Sequence, residues 1–188
     1  MQQSGKTTWI CAIIFPFLML LLIGNALVFD ETAYKNLLRP GAVNATMQLL
    51  DYFQGKAEIP GIFGANEKAH LADVKQVISL LRWISLALLI IFLALMTKAD
   101  TGLVFRKGFL MFILLAISCA FVPFDAVFAL FHKIFFPQGN WMFPEGSMLI
   151  LMYPAEFFKA FFAYMISVAL VFSAVFALFG YIVNHRKA

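Results

Sequence analysis

Four stretches of the chain are each long and apolar enough to cross a lipid bilayer, and this leaves few folds open. A spanning helix needs about 20 mostly apolar residues. Trp9–Phe29 holds no charged residue, Val77–Met96 only Arg82, Gly108–Phe131 only Asp125, and Phe157–Val183 only Lys159. Inside hydrocarbon every backbone N–H and C=O must find a partner within the protein, so runs of this length form helices. The expected fold class is an all-α integral membrane protein with four transmembrane helices. Composition agrees: of 188 residues, 63% are hydrophobic and 13% charged. A soluble domain has about half and about a quarter. Disorder is excluded as well, because it requires low hydrophobicity.

Lys and Arg set the expected orientation. Residues 1–8, 97–107 and 184–188 carry six of them (Lys6, Lys98, Arg106, Lys107, Arg186 and Lys187), and the much longer segments 30–76 and 132–156 together carry only another six. Basic residues concentrate on the cytoplasmic side, so both termini are expected inside and segments 30–76 and 132–156 outside. The apolar run after Lys6 is too long for a secretory signal and lacks a small-residue cleavage site, so it is expected to stay as the first span. No internal repeat, Gly/Ser linker or heptad run divides the sequence, and residues 1–188 are expected to form a single polytopic domain. The net charge of +4 reads as topology. A bundle with this little soluble mass offers no basic stripe for nucleic acid. Cys11 and Cys119 differ in expected depth by more than about 10 Å, too far for a disulfide.

The outer segments contain the informative polar residues. Arg39-Pro40-Gly41 and Pro60-Gly61 are turn signals, and Thr46–Phe53 suits a short amphipathic interfacial helix. Asn66 is placed to cap a helix running directly into the second span, with Glu67 in its first turn. On that helix His70 and Asp73 are three residues apart and share a face. A carboxylate in that position can fix an imidazole tautomer and raise its basicity. Segment 132–156 is rich in large apolar groups, with Trp141 and Tyr153 suited to headgroup depth. It reads as an interfacial anchor or as the lid of a lipid-binding cleft.

Asp125 is the most costly residue for a membrane segment, and such groups usually face the bundle interior at a working site. His132 is seven residues further on, nearly on the same stripe. Two histidines and two acids, His70, Asp73, Asp125 and His132, are therefore expected at one outer rim. The third histidine, His185, lies beside Arg186 and Lys187 and reads as membrane-surface charge. No nucleophile elbow, phosphate loop, C-x-x-C, H-E-x-x-H or dinucleotide fingerprint occurs. Two alternatives stand beside a lipid-processing enzyme: a metal or haem protein ligated by two histidines, and a non-catalytic scaffold or transport subunit.

The pattern Glu67-x-x-His70-Leu71-x-Asp73-Val74, followed by Phe131-His132-x-Ile134-Phe135-Phe136, Trp141-x-Phe143 and Pro154-x-x-Phe157-Phe158, resembles the bacterial lipoprotein intramolecular transacylase family. The likeness extends over the whole chain in span number, loop order and motif order. It implies an acyltransferase of the bacterial plasma membrane, with its active site facing the extracytoplasmic side. The implied reaction moves the sn-2 acyl chain of a diacylglyceryl lipoprotein from its glyceryl oxygen to the α-amino group of the first cysteine. The implied partners are diacylated lipoproteins and membrane lipid, without cofactor, metal or nucleic acid. In this reading His132 takes the proton of the attacking amine. His70, oriented by Asp73, serves the carbonyl or leaving oxygen, and the two roles are interchangeable. Asp125 steers His132 or attracts the ammonium group. Tyr153, Lys133 or backbone N–H groups supply oxyanion donors, and Glu67 and Trp141 support the site.

Overall fold

A computed structural model describes residues 2–185. Arg186 and Lys187, two of the basic residues behind the expected orientation, lie outside the described residues. The elements, in order, are α1 (Gln2–Leu27), α2 (Glu31–Leu37), α3 (Pro40–Phe53), α4 (Ala65–Met96), α5 (Thr101–Phe121), α6 (Phe124–Phe135), α7 (Met148–Met152) and α8 (Ala155–His185). No strand occurs among the described residues. Four helices, α1, α4, α5 and α8, are long and apolar enough to span a membrane, as the sequence predicts. At about 1.5 Å per residue, 32-residue α4 is about 48 Å long. That exceeds a hydrocarbon core of about 30 Å, so its first three turns, ahead of Val77, project beyond the span.

Three local expectations need correction. The third span does not run on to Phe131. Pro123 has no N–H to donate and drives its predecessor out of the α region, so Val122 is extended (φ −93°, ψ 126°) and α5 stops at Phe121. Asp125 therefore lies in the first turn of a separate helix, α6, where a negative charge suits the helix dipole. Arg39-Pro40-Gly41 is no turn, because Pro40 opens α3, its missing N–H costing nothing at a helix start. The interfacial helix is accordingly longer than Thr46–Phe53. Finally, Asn66 is inside α4 and Gly64 caps it. The Gly64 carbonyl accepts from Lys68 N at 2.9 Å, and Glu67 Oε2 reaches back to accept from Gly64 N at 2.7 Å, the reciprocal half of a capping box.

The chain divides into two compact units. The first comprises residues 2–25, 82–122 and 164–185. Its core centres on Phe15, whose ring centroid lies 5.5 Å from Phe105, 5.9 Å from Phe176 and 6.3 Å from Phe92. Cys11 and Val104 are fully buried beside it. Asn25 Nδ2 donates to Ser85 Oγ at 2.7 Å, and Asp100 caps α5 by accepting from Leu103 N at 2.9 Å. Trp83, Ile90, Val171 and Leu178 stay exposed, as they do when the surroundings are lipid.

Small residues let helices of this unit approach closely. A Cβ on Gly180 of α8 would lie 2.9 Å from the Gly102 carbonyl oxygen of α5. Gly180→Leu is expected to destabilise the protein by about 1–3 kcal/mol through overpacking. Gly61→Ala, where a Cβ meets nothing within 4 Å, should change little. Thermal unfolding of the detergent-solubilised variants checks both.

The second unit comprises residues 26–81 and 123–163. Leu49 of α3, Phe63, Leu71 of α4, and Leu149 and Met152 of α7 form one buried cluster. Tyr34, Leu38, Leu50 and Phe157 form another. Between α6 and α7 the chain runs without regular structure, and Gly139 adopts a positive φ of 78° that an L side chain rarely takes. His70, Asp73, Asp125, His132 and the other candidate site residues belong to this second unit.

Candidate active site

Aromatic side chains hold two imidazoles in place. His70 comes from the second turn of α4 and His132 from the last turn of α6. Both are buried, at 8% and 9% exposure. Their rings lie 6.2 Å apart between centroids and are tilted by only 23°. Phe136 packs against both, at 4.6 Å from His70 and 5.4 Å from His132. Trp141 lies 4.7 Å from His132, Phe128 4.1 Å from His132, and Phe143 5.5 Å from His70. The aromatic-rich sequence between α6 and α7 is thus the wall of this site, which explains why a loop carries so many large apolar groups.

The hydrogen bond of His132 fixes its chemistry. Nδ1 lies 2.7 Å from the Phe128 carbonyl oxygen. A carbonyl only accepts, so Nδ1 carries the hydrogen and Nε2 keeps the lone pair in the neutral ring. Burial holds this imidazole below its ordinary range, with the Phe128 hydrogen bond opposing that shift. His132 is therefore a neutral base near pH 7 with its basic atom defined. His70 differs. Its Nδ1 is buried and makes no hydrogen bond.

The expected acids have other partners. Asp73 does not orient His70 directly. Its Oδ2 accepts from Gln138 Nε2 at 2.8 Å and from Asn140 Nδ2 at 2.6 Å. Asp125 is not an interior acid beside His132. Its side chain is 85% exposed and pairs with Lys159 at 3.8 Å. The break at Pro123 removes the continuous spanning helix on which the interior reading depended. Glu67 is buried and structural in geometry, with Oε1 accepting from the buried Leu149 N at 2.8 Å while Oε2 caps α4. Tyr153 has its single proton in use. Thr46 Oγ1 donates to the Ala42 carbonyl at 2.8 Å, so in the 2.8 Å contact between the hydroxyls Tyr153 must be the donor. Burial pushes the Tyr153 hydroxyl up to about 12, with the Thr46 hydrogen bond opposing. It offers no donor to an oxyanion. Lys133 is exposed in the last turn of α6, next to His132. His185 packs edge-on against Tyr181 at 4.2 Å in the first unit. No group of three His, Cys, Asp or Glu side chains suited to a metal ion occurs among the described residues.

Sequence reasoning missed Gln138, Asn140 and the Phe128 carbonyl. The first two are polar residues flanking Gly139 in an otherwise apolar stretch, which is a readable signal. The role of a backbone carbonyl has no side-chain signature.

Beside this pair, a groove of about 490 Å³ runs between α4 and the end of α6. Asp73, Gln76 and Gln138 line it together with Val77, Leu80, Ile134, Phe135 and Pro137. It is an apolar channel with polar residues along one part.

No curated protein is detectably similar to this sequence. The fold is that of solved structures of the membrane-integral lipoprotein intramolecular transacylase Lit from Bacillus cereus. One aligns with a TM-score of 0.74 at 20% identity, covering 99% of this chain and 98% of the other. Variants of that protein with one histidine changed to alanine or to arginine align with TM-scores of 0.75 and 0.69. Their identities are 19% and 18%, over 99% and 100% of this chain and 96% of the other in both cases. Residues 9–158 match the family model described as lipoprotein intramolecular transacylase Lit. The chain is therefore a multi-pass membrane acyltransferase acting on lipoproteins, and it belongs to the lipoprotein intramolecular transacylase family.

Proposed function

We propose that the His70–His132 pair moves the sn-2 acyl chain of a diacylglyceryl lipoprotein to the α-amino group of its N-terminal cysteine, giving the lyso form. The observation that carries this reading is the pair itself: two buried imidazoles 6.2 Å apart, one with its basic nitrogen fixed as Nε2. The proton count of the reaction suits two bases. A free α-amino group has a pKa of about 7.7–8.0, so it enters largely as ammonium. Becoming an amide, it loses two protons. One ends on the glyceryl oxygen that leaves and the other goes to water. In the proposed sequence His70 receives the first and returns it to the leaving oxygen. His132 Nε2 takes the second as nitrogen attacks the ester carbonyl, the N–C bond forms and the C–O bond breaks. No cofactor enters this balance. Amine and ester belong to one substrate molecule, so proximity supplies much of the rate. The apolar groove along Val77, Leu80 and Phe135 is the proposed channel for an acyl chain, and the site faces the extracytoplasmic side in a single polytopic domain.

The test is expression in bacterial cells that lack N-acylated lipoproteins, followed by mass measurement of a lipoprotein N-terminal peptide. The expected product has an N-linked acyl chain and a single S-glyceryl ester. Unchanged diacyl peptide would refute the reading.

Since His132 acts as a neutral base whose burial lowers its proton affinity, kcat should fall on the acid side only below the ordinary imidazole range of about 6.5. The midpoint of the acid limb is expected below that of a free imidazole. A kcat–pH profile on a synthetic diacylated lipopeptide checks this.

A further inference from the structure

The Asp73 carboxylate has its two amide donors but does not bond the histidine one turn away. Asn140 Nδ2 points at Asp73 Oδ2, 2.6 Å away. A carboxylate only accepts, so the amide cannot be turned the other way, and Asn140 Oδ1 must face away from Asp73. That oxygen is buried and has no hydrogen-bond partner. His70 Nδ1 is likewise buried without one. These are two of the three such side-chain atoms among the described residues, the third being Ser173 Oγ in the other unit. Buried polar atoms are rarely left unpaired without reason. One orphan here is an acceptor and the other a potential donor.

We propose that Asn140 is the positioning residue of His70: its Oδ1, aimed by Asp73, receives His70 Nδ1–H and leaves Nε2 to face the reacting atoms. In the resting structure the bond is not formed with good geometry, and in enzymes without substrate such contacts are often long and tighten when substrate binds. Burial and the neighbouring His132 lower the proton affinity of His70, and the Asp73 charge and the Asn140 side chain oppose that shift. By hydrogen bonds Asp73 reaches the imidazole only through this intervening amide, and Gln138 Nε2, at 2.8 Å, donates to the same carboxylate oxygen.

This inference rests on the proposed transfer reaction but can be read without it. The experiment uses the full chain in detergent, with kcat–pH profiles on a diacylated lipopeptide and ¹⁵N shifts of labelled histidine. Asn140→Leu should lower kcat about 10–100-fold, as loss of such a supporting partner does, with little change in KM. It should also move the alkaline limb of the profile to lower pH and shift His70 Nδ1 from its proton-bearing to its lone-pair signal. Asn140→Asp alone sets two carboxyl groups against each other and should be comparably slow. Adding Asp73→Asn to it restores a donor–acceptor pair and should recover kcat at least fivefold over that single variant. Asn140→Leu with kcat within twofold of wild type and an unmoved alkaline limb would overturn the proposal. So would a double exchange no faster than Asn140→Asp, which is decisive even where the leucine variant fails to fold. Wild-type protein without turnover refutes the transfer reaction instead, and the ¹⁵N shift of His70 then decides whether the Asn140 contact exists.

Discussion

His132→Ala is expected to lower kcat on a diacylated lipopeptide by about 10²–10⁴-fold, the span general-base catalysis typically covers. The alanine removes the only fixed basic nitrogen, Nε2, and frees the Phe128 carbonyl that fixed it. His70→Ala should cost a similar factor. The combination separates this mechanism from two independent contributions. Groups that act as a unit are strongly non-additive, so the double variant should be no more than about tenfold slower than the slower single one. Full wild-type conversion by the double variant, read by mass spectrometry, would exclude both roles. The fold should survive, because two remaining walls of the site, Phe136 and Phe143, also pack elsewhere in the second unit.

Glu67→Ala is expected to have the largest effect on stability. One carboxylate joins the start of α4 to the start of α7 by accepting from Gly64 N at 2.7 Å and Leu149 N at 2.8 Å. Alanine leaves both donors unpaired, the Leu149 bond being fully buried. A buried donor left without its charged acceptor costs about 1–3 kcal/mol, and the part-buried cap at Gly64 adds about 1 kcal/mol, so the total should be on the order of 2–4 kcal/mol. Glu67→Gln is the informative companion. Its amide can accept one of the two N–H groups but turns its own NH₂ toward the other, so it should recover only part of the loss. Thermal unfolding ranks the three proteins. Turnover should fall in the same order, because Leu149 and the loop before it carry Trp141 and Asn140.

Why some of this was readable from sequence and some was not follows from particular residues. The spans were, because hydrophobic length is a one-dimensional property and α1, α4, α5 and α8 each satisfy it. His70 and His132 were, because a polar ring in a chain this apolar stands out. Asp125 misled for the same reason. Counted as part of a continuous run it looked buried, but Pro123 ends α5 one turn before it, and local backbone chemistry overruled the hydropathy. Asp73 was placed beside His70 from helical spacing, which gives the shared face but not the partner. The partner came from a loop 67 residues later in sequence, and no periodicity reports such a contact. The Phe128 carbonyl lies four residues before His132 on the same helix, yet a backbone group available to a side chain is invisible until the ring's rotamer is known.

In the proposed mechanism the bond from His132 to Phe128 also governs how the base is regenerated. With Nδ1 occupied, a proton acquired at Nε2 has no exit from the far side of the ring. It has to leave from the same nitrogen that served the substrate. In that mechanism discharge to water therefore follows departure of the lyso product, and regeneration of the base is tied to product release.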